Sequence, residues 1–252
     1  MSLAGHTALL SGASGGIGGA IARTLADAGA RTVLLCHNQR TRADTLAQDL
    51  RENGHDVLVL QGDLAQDGTP ERLIDEAVLG GFAPDVLVNN AARQDVAKLA
   101  DISAKDWRAM FALTLDGVFA LSQAFCATRI AAGGGGAIVN IASIEGLAPA
   151  AGHAHYASAK AALLHFTRAA ALEYGPHNIR INAISPGLIY RPGLAQDWSE
   201  GVARWQAAAP LGSLGMPEDV AHAVLFLVSP MSKWISGANL VVDGGMMSAG
   251  PW

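Results

Sequence analysis

Tyr156 and Lys160 stand four residues apart in the run His-Tyr-Ala-Ser-Ala-Lys. On a helix that spacing stacks both side chains on one face. An ammonium beside a phenol favours the phenolate, so the pair predicts a tyrosine titrating below its ordinary value of about 10. Such a tyrosine can trade a proton with an alcohol or a ketone near neutral pH. Many helices carry Tyr-x-x-x-Lys on a solvated face, so the pair by itself decides little. A second hydroxyl, Ser143, ends the apolar run Ala137-Ile-Val-Asn-Ile-Ala142. There it could hydrogen-bond a carbonyl oxygen and steady a developing alkoxide. Taken alone, Ser143 reads more simply as a turn serine at a strand end.

A glycine-rich turn opens the chain: Ser11-Gly12-Ala13-Ser14-Gly15-Gly16-Ile17-Gly18. It follows the apolar run Thr7–Leu10 and precedes a helical stretch running to Asp27. Strand, glycine turn and helix in that order make a phosphate cradle. The glycines allow a tight turn and close backbone approach, and the helix start offers unpaired N–H groups to a pyrophosphate. A tight connection with no ligand is the alternative.

The elements that must hold these groups alternate along the chain. Short β-rich runs recur at 7–10, 32–36, 57–61, 86–89, 137–142, 179–184 and 239–242, with helical stretches near 17–28, 41–53, 69–80, 104–131, 154–174 and 217–229. The alternation predicts an α/β fold, a doubly wound parallel sheet of about seven strands with helices on both faces. In such a sheet ligands gather at the C-terminal ends of the strands, where Ser143 stands. Half of the residues are hydrophobic and only 15% are charged, which suits buried parallel strands. The 252 residues fit one domain, and no linker or repeat divides them. Between about 188 and 216 the rhythm breaks, with Pro192, Gly193, Trp198, Trp205 and Pro210. A connection that long reads as a substrate lid, or as a surface excursion whose tryptophans pack on the core. The helix carrying Tyr156 is apolar nearly all round, which predicts burial on two sides. Met246, Met247, Pro251 and Trp252 form an apolar tail that either frays or docks on a neighbouring subunit.

Composition narrows the function classes. The net charge is −5 and no basic block occurs, so nucleic-acid binding has no electrostatic footprint. Cys36 and Cys126 lack metal-ligand spacing, and no metal is expected. Two cysteines without a disulfide pattern point to a reducing, cytoplasmic setting. The first strand begins within a few residues of Met1, so no signal peptide is expected. No membrane association is expected either, because the uncharged stretch 130–144 is broken by Gly133–Gly136.

These motifs, in this order, resemble the short-chain dehydrogenase/reductase family over nearly the whole chain. Gly12, Gly16 and Gly18 meet its glycine signature, with Ser11 where threonine is usual. Asn89-Asn90-Ala91-Ala92 stands for its Asn-Asn-Ala-Gly motif, and Ser143, Tyr156 and Lys160 match its serine, tyrosine and lysine. Pro186-Gly187 matches its proline-glycine after the sixth strand, and Val242-Asp243-Gly244-Gly245 its closing strand. The resemblance implies a single Rossmann-type domain, a homo-oligomer (dimer or tetramer), and hydride transfer between NAD(P)(H) and a secondary alcohol or ketone. In that scheme Tyr156 gives up its proton while Lys160 holds the phenol pKa down and binds the nicotinamide ribose. The dinucleotide would contact Gly12, Ser14, Gly16, Ile17 and Gly18 at the turn, and His37, Asn38 and Arg40 after the second strand. Asp63 and Leu64 would meet it after the third strand, Asn90 and Ala91 after the fourth, and Pro186, Gly187 and Ile189 after the sixth. Asp63 matches the family residue that binds the adenine amine, although a turn aspartate remains the other reading. Trp198, Trp205, Leu194 and Met216 suggest a small to medium apolar carbonyl substrate. His153, His155, Glu145, Arg93 and Gln94 would make its pocket more polar.

Three positions depart from the family pattern. Thr114 stands where an asparagine normally supports a water relay to the lysine, and its shorter side chain puts that relay in doubt. Arg191 replaces a threonine that commonly contacts the nicotinamide amide. These two carry the competing expectation, a nucleotide-binding regulatory or interaction protein of the same fold with reduced turnover. The third departure concerns the cofactor. The end of the second strand reads Leu35-Cys36-His37-Asn38-Gln39-Arg40-Thr41-Arg42, with no acid to bind the ribose hydroxyls of NAD. This favours NADP(H), with His37, Arg40 or Arg42 facing the 2′-phosphate, and leaves NAD(H) as the alternative. Arg40 and Arg42 also read as solvated residues of a first helical turn, and Gly15 stands where some NADP-preferring relatives carry a base.

Overall fold

A computed structural model describes residues 1–248, so Pro251 and Trp252 of the apolar tail lie outside the described residues. Seven parallel strands form one sheet: β1 (Thr7–Ser11), β2 (Arg31–Cys36), β3 (Val57–Gln61), β4 (Val86–Asn89), β5 (Gly136–Ile141), β6 (Ile179–Pro186) and β7 (Asn239–Val242). Their order is β3-β2-β1-β4-β5-β6-β7, and the winding reverses between β1 and β4. The expected single doubly wound Rossmann-type domain is therefore present.

Side chains alternate across the sheet with period two, and each face collects its own core. Leu10, Leu34, Val86, Val88 and Val139 pack under α1 (Gly16–Asp27), α2 (Arg40–Glu52) and α9 (Pro217–Val228). Leu9, Val33, Leu35, Leu87 and Ile138 pack under α3 (Thr69–Leu79) and α5 (Gly117–Ala131). The same face carries α6 (Ala154–Tyr174), which buries Leu163, Leu164 and Ala170. The remaining helices are α4 (Ala104–Phe111), α7 (Leu194–Asp197) and α8 (Ser199–Ala208).

Two features differ from the sequence expectation. The single helix foreseen over 104–131 is α4 and α5 joined by a π-helical turn at Ala112–Asp116. A π turn holds an extra residue and re-aims the side chains it carries. By length and composition this joined helix could cross a membrane, but here Val118, Leu121, Phe125 and Cys126 are buried in the core. The irregular segment 188–216 contains two helices, α7 and α8, which its scattered prolines and glycines did not announce.

Candidate active site

The glycine turn and the exit of β4 meet at the point where the winding reverses. Gly12 has φ +67°, and a Cβ there would lie 2.9 Å from both the Cα of Ala91 and Nδ2 of Asn90. A Cβ on Gly18 would stand 2.2 Å from the Gly12 carbonyl oxygen, so only glycine lets α1 pack this closely on the turn. Asn90 Nδ2 donates to the carbonyls of Ser11 (3.1 Å) and Gly12 (3.0 Å). The Ser11 hydroxyl accepts from the backbone N–H groups of Asn90 and Ala91, each at 3.0 Å. Ser11 and Asn90 thus bind the exits of β1 and β4 into one rigid cradle. Helix α1 begins after the N-cap residue Gly15, which has no side chain to cap it, so its first N–H groups have no side-chain partner. A Cβ on Gly16 would meet nothing within 4 Å. This open helix start suits the diphosphate of a dinucleotide.

From the cradle a cleft of about 340 Å³ runs past Ser14, Leu64 and Ala91 to Cys36, His37 and Asn38. The Cys36 thiol is buried and donates to the Leu60 carbonyl, and burial pushes its pKa up. His37 stands 3.8 Å from Asp63, whose other oxygen accepts from the Ala65 N–H at 3.0 Å. Arg40 does not line the cleft: its Nε bonds both carboxylate oxygens of Asp44 at 2.9 Å. Arg42 turns to Gln39 at 3.1 Å. The structure therefore brings His37 and Asn38 to the cleft end and holds Arg40 against its own helix. A dinucleotide fits this arrangement of turn, helix start and cleft.

Ser143, Tyr156, Lys160 and Thr114 come from three elements on the next side of the switch point. Ser143 follows β5 and caps the short turn Ile144–Gly146, accepting from the Glu145 N–H at 3.1 Å. That turn lies directly on α6, because a Cβ on Gly146 would stand 2.9 Å from the carbonyl carbon of Lys160. Tyr156, on the first turn of α6, is buried against Met110, Phe111 and Ala159. Lys160 Nζ lies 5.6 Å from the Tyr156 ring centre and donates to the Ile141 carbonyl at 2.6 Å.

The titration of this pair reverses the sequence expectation. Burial pushes the Tyr156 phenol up to about 12; the Ser143 hydroxyl works in the lowering direction, and the Glu145 charge adds to the rise. Burial brings Lys160 down to about 7, because its ammonium has lost its water and faces no carboxylate. An ammonium so readily deprotonated exerts little pull on the phenol. The spacing did place the two side chains together, and their burial decided the sign.

Thr114 sits fully buried in the π-helical turn, and its hydroxyl donates to Met110 Sδ at 3.7 Å. Its hydroxyl is directed to the preceding helical turn. A supporting network escaped the sequence reading altogether. Asn89 Nδ2 donates to Ser122 (3.1 Å) and to Asn140 Oδ1 (2.8 Å), while Asn140 Nδ2 donates to Thr167 (2.9 Å). These buried amides tie β4, β5, α5 and α6 together beneath the site. Asparagines inside apolar strands were the available signal.

At the end of β6, Pro186, Gly187 and Ile189 lead into segment 188–216. A Cβ on Gly187 would stand 2.7 Å from the Trp205 ring, so α8 docks on the end of β6. Trp205 Nε1 also donates to the Ser213 carbonyl at 3.2 Å. The segment's two ends pair backbone to backbone, Tyr190 N–H to Gly215 carbonyl at 2.7 Å and Gly215 N–H to Leu188 carbonyl at 3.1 Å. Leu194 is buried, whereas Trp198 and Met216 remain exposed. Arg191 is exposed and paired with Asp197 at 2.7 Å. Beside Tyr156, His153 Nδ1 contacts both carboxylate oxygens of Glu145, at 2.7 and 2.9 Å. His155 is buried, with Nδ1 unpaired.

Comparison with known proteins converges on one family. A family model described as enoyl-(acyl carrier protein) reductase matches residues 12–247. The chain is 37% identical over 241 residues to cis-4-hydroxycyclohexanecarboxylate dehydrogenase of Sinomonas cyclohexanicum, covering 95% of this chain and 96% of that protein. It is 35% identical to the L-rhamnose 1-dehydrogenase (NAD(P)(+)) of Azotobacter vinelandii, covering 98% of each. A crystal structure of gluconate 5-dehydrogenase from Burkholderia cenocepacia, in complex with NADP and tartrate, superposes with a TM-score of 0.92 at 33% identity, covering 99% of this chain and 98% of that one. Another neighbour is a short-chain type dehydrogenase/reductase from Mycobacterium marinum, with a TM-score of 0.89 at 30% identity over 97% of this chain and 96% of that one. The chain therefore belongs to the short-chain dehydrogenase/reductase family and is an NAD(P)-dependent oxidoreductase acting on CH–OH and C=O groups.

Proposed function

We propose that the protein interconverts a secondary alcohol and a ketone, with Tyr156 as the acid–base group and Ser143 holding the substrate oxygen. The observation that carries this reading is the meeting of both hydroxyls after β5, where the Ser143 side chain hydrogen-bonds the Tyr156 phenol, one helical turn from Lys160. A bound nicotinamide supplies or accepts the hydride. Gly12, Ser14, Gly16, Ile17 and Gly18 would hold the diphosphate; His37, Asn38, Asp63 and Leu64 the adenosine end; Asn90 and Ala91 the middle; and Pro186, Gly187 and Ile189 the nicotinamide. Ser143 donates to the substrate oxygen in reduction and leaves Tyr156 to deliver the proton to the same atom. Lys160 sits in the adjoining turn of α6, where it would meet the ribose of a bound dinucleotide and, when charged, stabilise the phenolate. Buried Tyr156 excludes water from the proton it transfers. Thr114 supports the relay only through its π-helical turn, since its hydroxyl is bonded to Met110.

NADP(H) is the proposed partner. No acid stands at Cys36, His37, Asn38 or Gln39 where the cleft ends. With Arg40 bound to Asp44, His37 is the basic side chain lining the cleft where a 2′-phosphate would lie. The structure of gluconate 5-dehydrogenase from Burkholderia cenocepacia contains NADP, which accords with this choice.

Segment 188–216 acts as the lid. Its exposed Trp198 and Met216 suit a small to medium substrate with an apolar body, while Glu145 and His153 would make its surroundings more polar. A second copy of the chain would cover the outer face of α6 at Leu172, close to the loop before β7, where Gly237 approaches Ala171. A cytoplasmic setting accords with the two buried free cysteines.

The test is oxidation of NADPH and NADH with a panel of cyclic and linear ketones, run on the parent and on Tyr156→Phe. The variant should bind dinucleotide within a few-fold of the parent and lose at least about 100-fold in kcat, the usual size of a general acid–base contribution. Turnover within a few-fold of the parent removes Tyr156 from the role. Dinucleotide binding without turnover on any ketone favours the regulatory reading.

A further inference from the structure

Glu145 and His153 belong to the two ends of the segment that links Ser143 to Tyr156. Glu145 lies in the short turn after β5, and His153 is the N-cap residue of α6. Their side chains are only 15% and 17% exposed. An ionised carboxylate can only accept, so His153 Nδ1 carries the hydrogen of the contact. The His153 ring stands edge-on to Tyr156, with centroids 6.1 Å apart. A buried carboxylate this close to the phenol opposes phenolate formation, and the Glu145 charge acts on Tyr156 in that direction. The ionisable groups around Tyr156 are Glu145 from the turn after β5 and His153, His155 and Lys160 from α6. Helix α4 contributes Met110 and Phe111, which carry no charge.

We propose that Glu145 and His153 are a charge-compensating pair that positions and tunes Tyr156. The His153 N–H offsets the carboxylate charge beside the phenol by hydrogen bonding and holds the turn that carries Ser143. This role rests on the reading of Tyr156 as the acid–base group. It makes His153 and Glu145 positioning residues, acting through Tyr156. Without His153, Tyr156 faces a bare carboxylate and ionises less readily. Alcohol oxidation needs the phenolate, so the acid limb of its rate–pH profile should then move to higher pH. A unit charge at 6.1 Å would move a titration by about 0.5 pH unit at a dielectric constant of about 80 and by about 2 units at about 20, which sets the scale of the shift a bared carboxylate gives.

The experiment measures kcat and kcat/KM against pH for oxidation of an alcohol identified by the ketone panel. It uses the full-length parent, His153→Gln, Glu145→Gln and the double variant Glu145→Gln/His153→Gln. Dinucleotide affinity within twofold of the parent certifies the fold of each. His153→Gln should displace the acid limb upward by about half a unit or more, lowering the rate below the limb at least threefold. The double variant should return the limb to within about 0.2 unit of the parent, since the carboxylate is then gone as well. An unmoved limb in His153→Gln overturns the proposal. So does an equal displacement in the double variant, which a merely structural contact would give. A parent that turns over no substrate overturns the assignment of Tyr156 itself, an outcome read separately from any difference among variants.

Discussion

Two glycines of the phosphate cradle, two residues apart, should respond to the same methyl group in opposite ways. In Gly18→Ala the new Cβ would lie 2.2 Å from the Gly12 carbonyl oxygen and 2.9 Å from Asn90 Nδ2. Contacts under 3.0 Å are essentially never adopted, so about 0.8 Å of movement is required, and the obstacle is backbone. Overpacking of that kind costs about 1–3 kcal/mol. In a domain of this size that lowers Tm by about 2–12 °C. The displaced helix start and the strained Asn90 bonds should also weaken dinucleotide binding at least tenfold. In Gly16→Ala the Cβ meets nothing within 4 Å, and Gly16 has a helical backbone at the first position of α1. The folded chain gains up to about 1 kcal/mol from the reduced freedom of its unfolded state. Its Tm should hold or rise by a few degrees. The same methyl nevertheless enters the open side of the helix start, where the diphosphate is placed, and affinity should fall tenfold or more. The assay is thermal unfolding without dinucleotide, paired with NADPH and NADH titrations of both variants. Binding by Gly16→Ala within twofold of the parent would refute the placement of the diphosphate on α1. An unchanged Tm in Gly18→Ala would refute the close packing of α1 on the turn.

Lys160, with a folded-state pKa of about 7 against an ordinary 10.5, gives a pH-dependent signal. Between those values the unfolded chain holds a proton that the folded chain has released, so this residue makes stability rise with pH from about 7 to about 10.5. Below pH 7 both states are protonated and the full burial penalty remains. Lys160→Met should therefore raise Tm at pH 7, flatten its rise toward alkaline pH and abolish turnover; a parent and a variant with parallel Tm–pH curves would contradict the burial of an ionisable amine. Cys36→Asp puts a carboxylate at the end of β2, where it repels a 2′-phosphate, and should move the ratio of kcat/KM values from NADP(H) toward NAD(H) by tenfold or more. A parent that already prefers NAD(H) would show that a missing acid does not select the phosphate.

Features written within a few consecutive residues are legible in the amino-acid sequence itself. Apolar runs of four to six residues, bounded by turns, marked the strands to within two residues. The glycine turn between Leu10 and Gly19 announced its own conformation because a positive φ at Gly12 and close approach at Gly18 require glycine. Helical period alone brought Tyr156 and Lys160 to one face. Order along the chain, strand then helix repeated, was enough to predict a doubly wound sheet and to put Ser143 at its ligand-binding edge. Tertiary structure decided what depends on partners distant in sequence or on the withdrawal of water. Lys160 and Tyr156 titrate as they do because α4, the turn after β5 and the rest of the core surround them, and burial is the largest cause of each shift. Arg40 had an acid at helical spacing all along, but only the fold shows it turned to Asp44 and away from the cleft. The π-helical turn at Thr114 and the amide network from Asn89 to Thr167 join elements up to 78 residues apart. Periodicity reports which face a residue takes; the neighbour on that face, and the dielectric around it, exist only once the chain has packed.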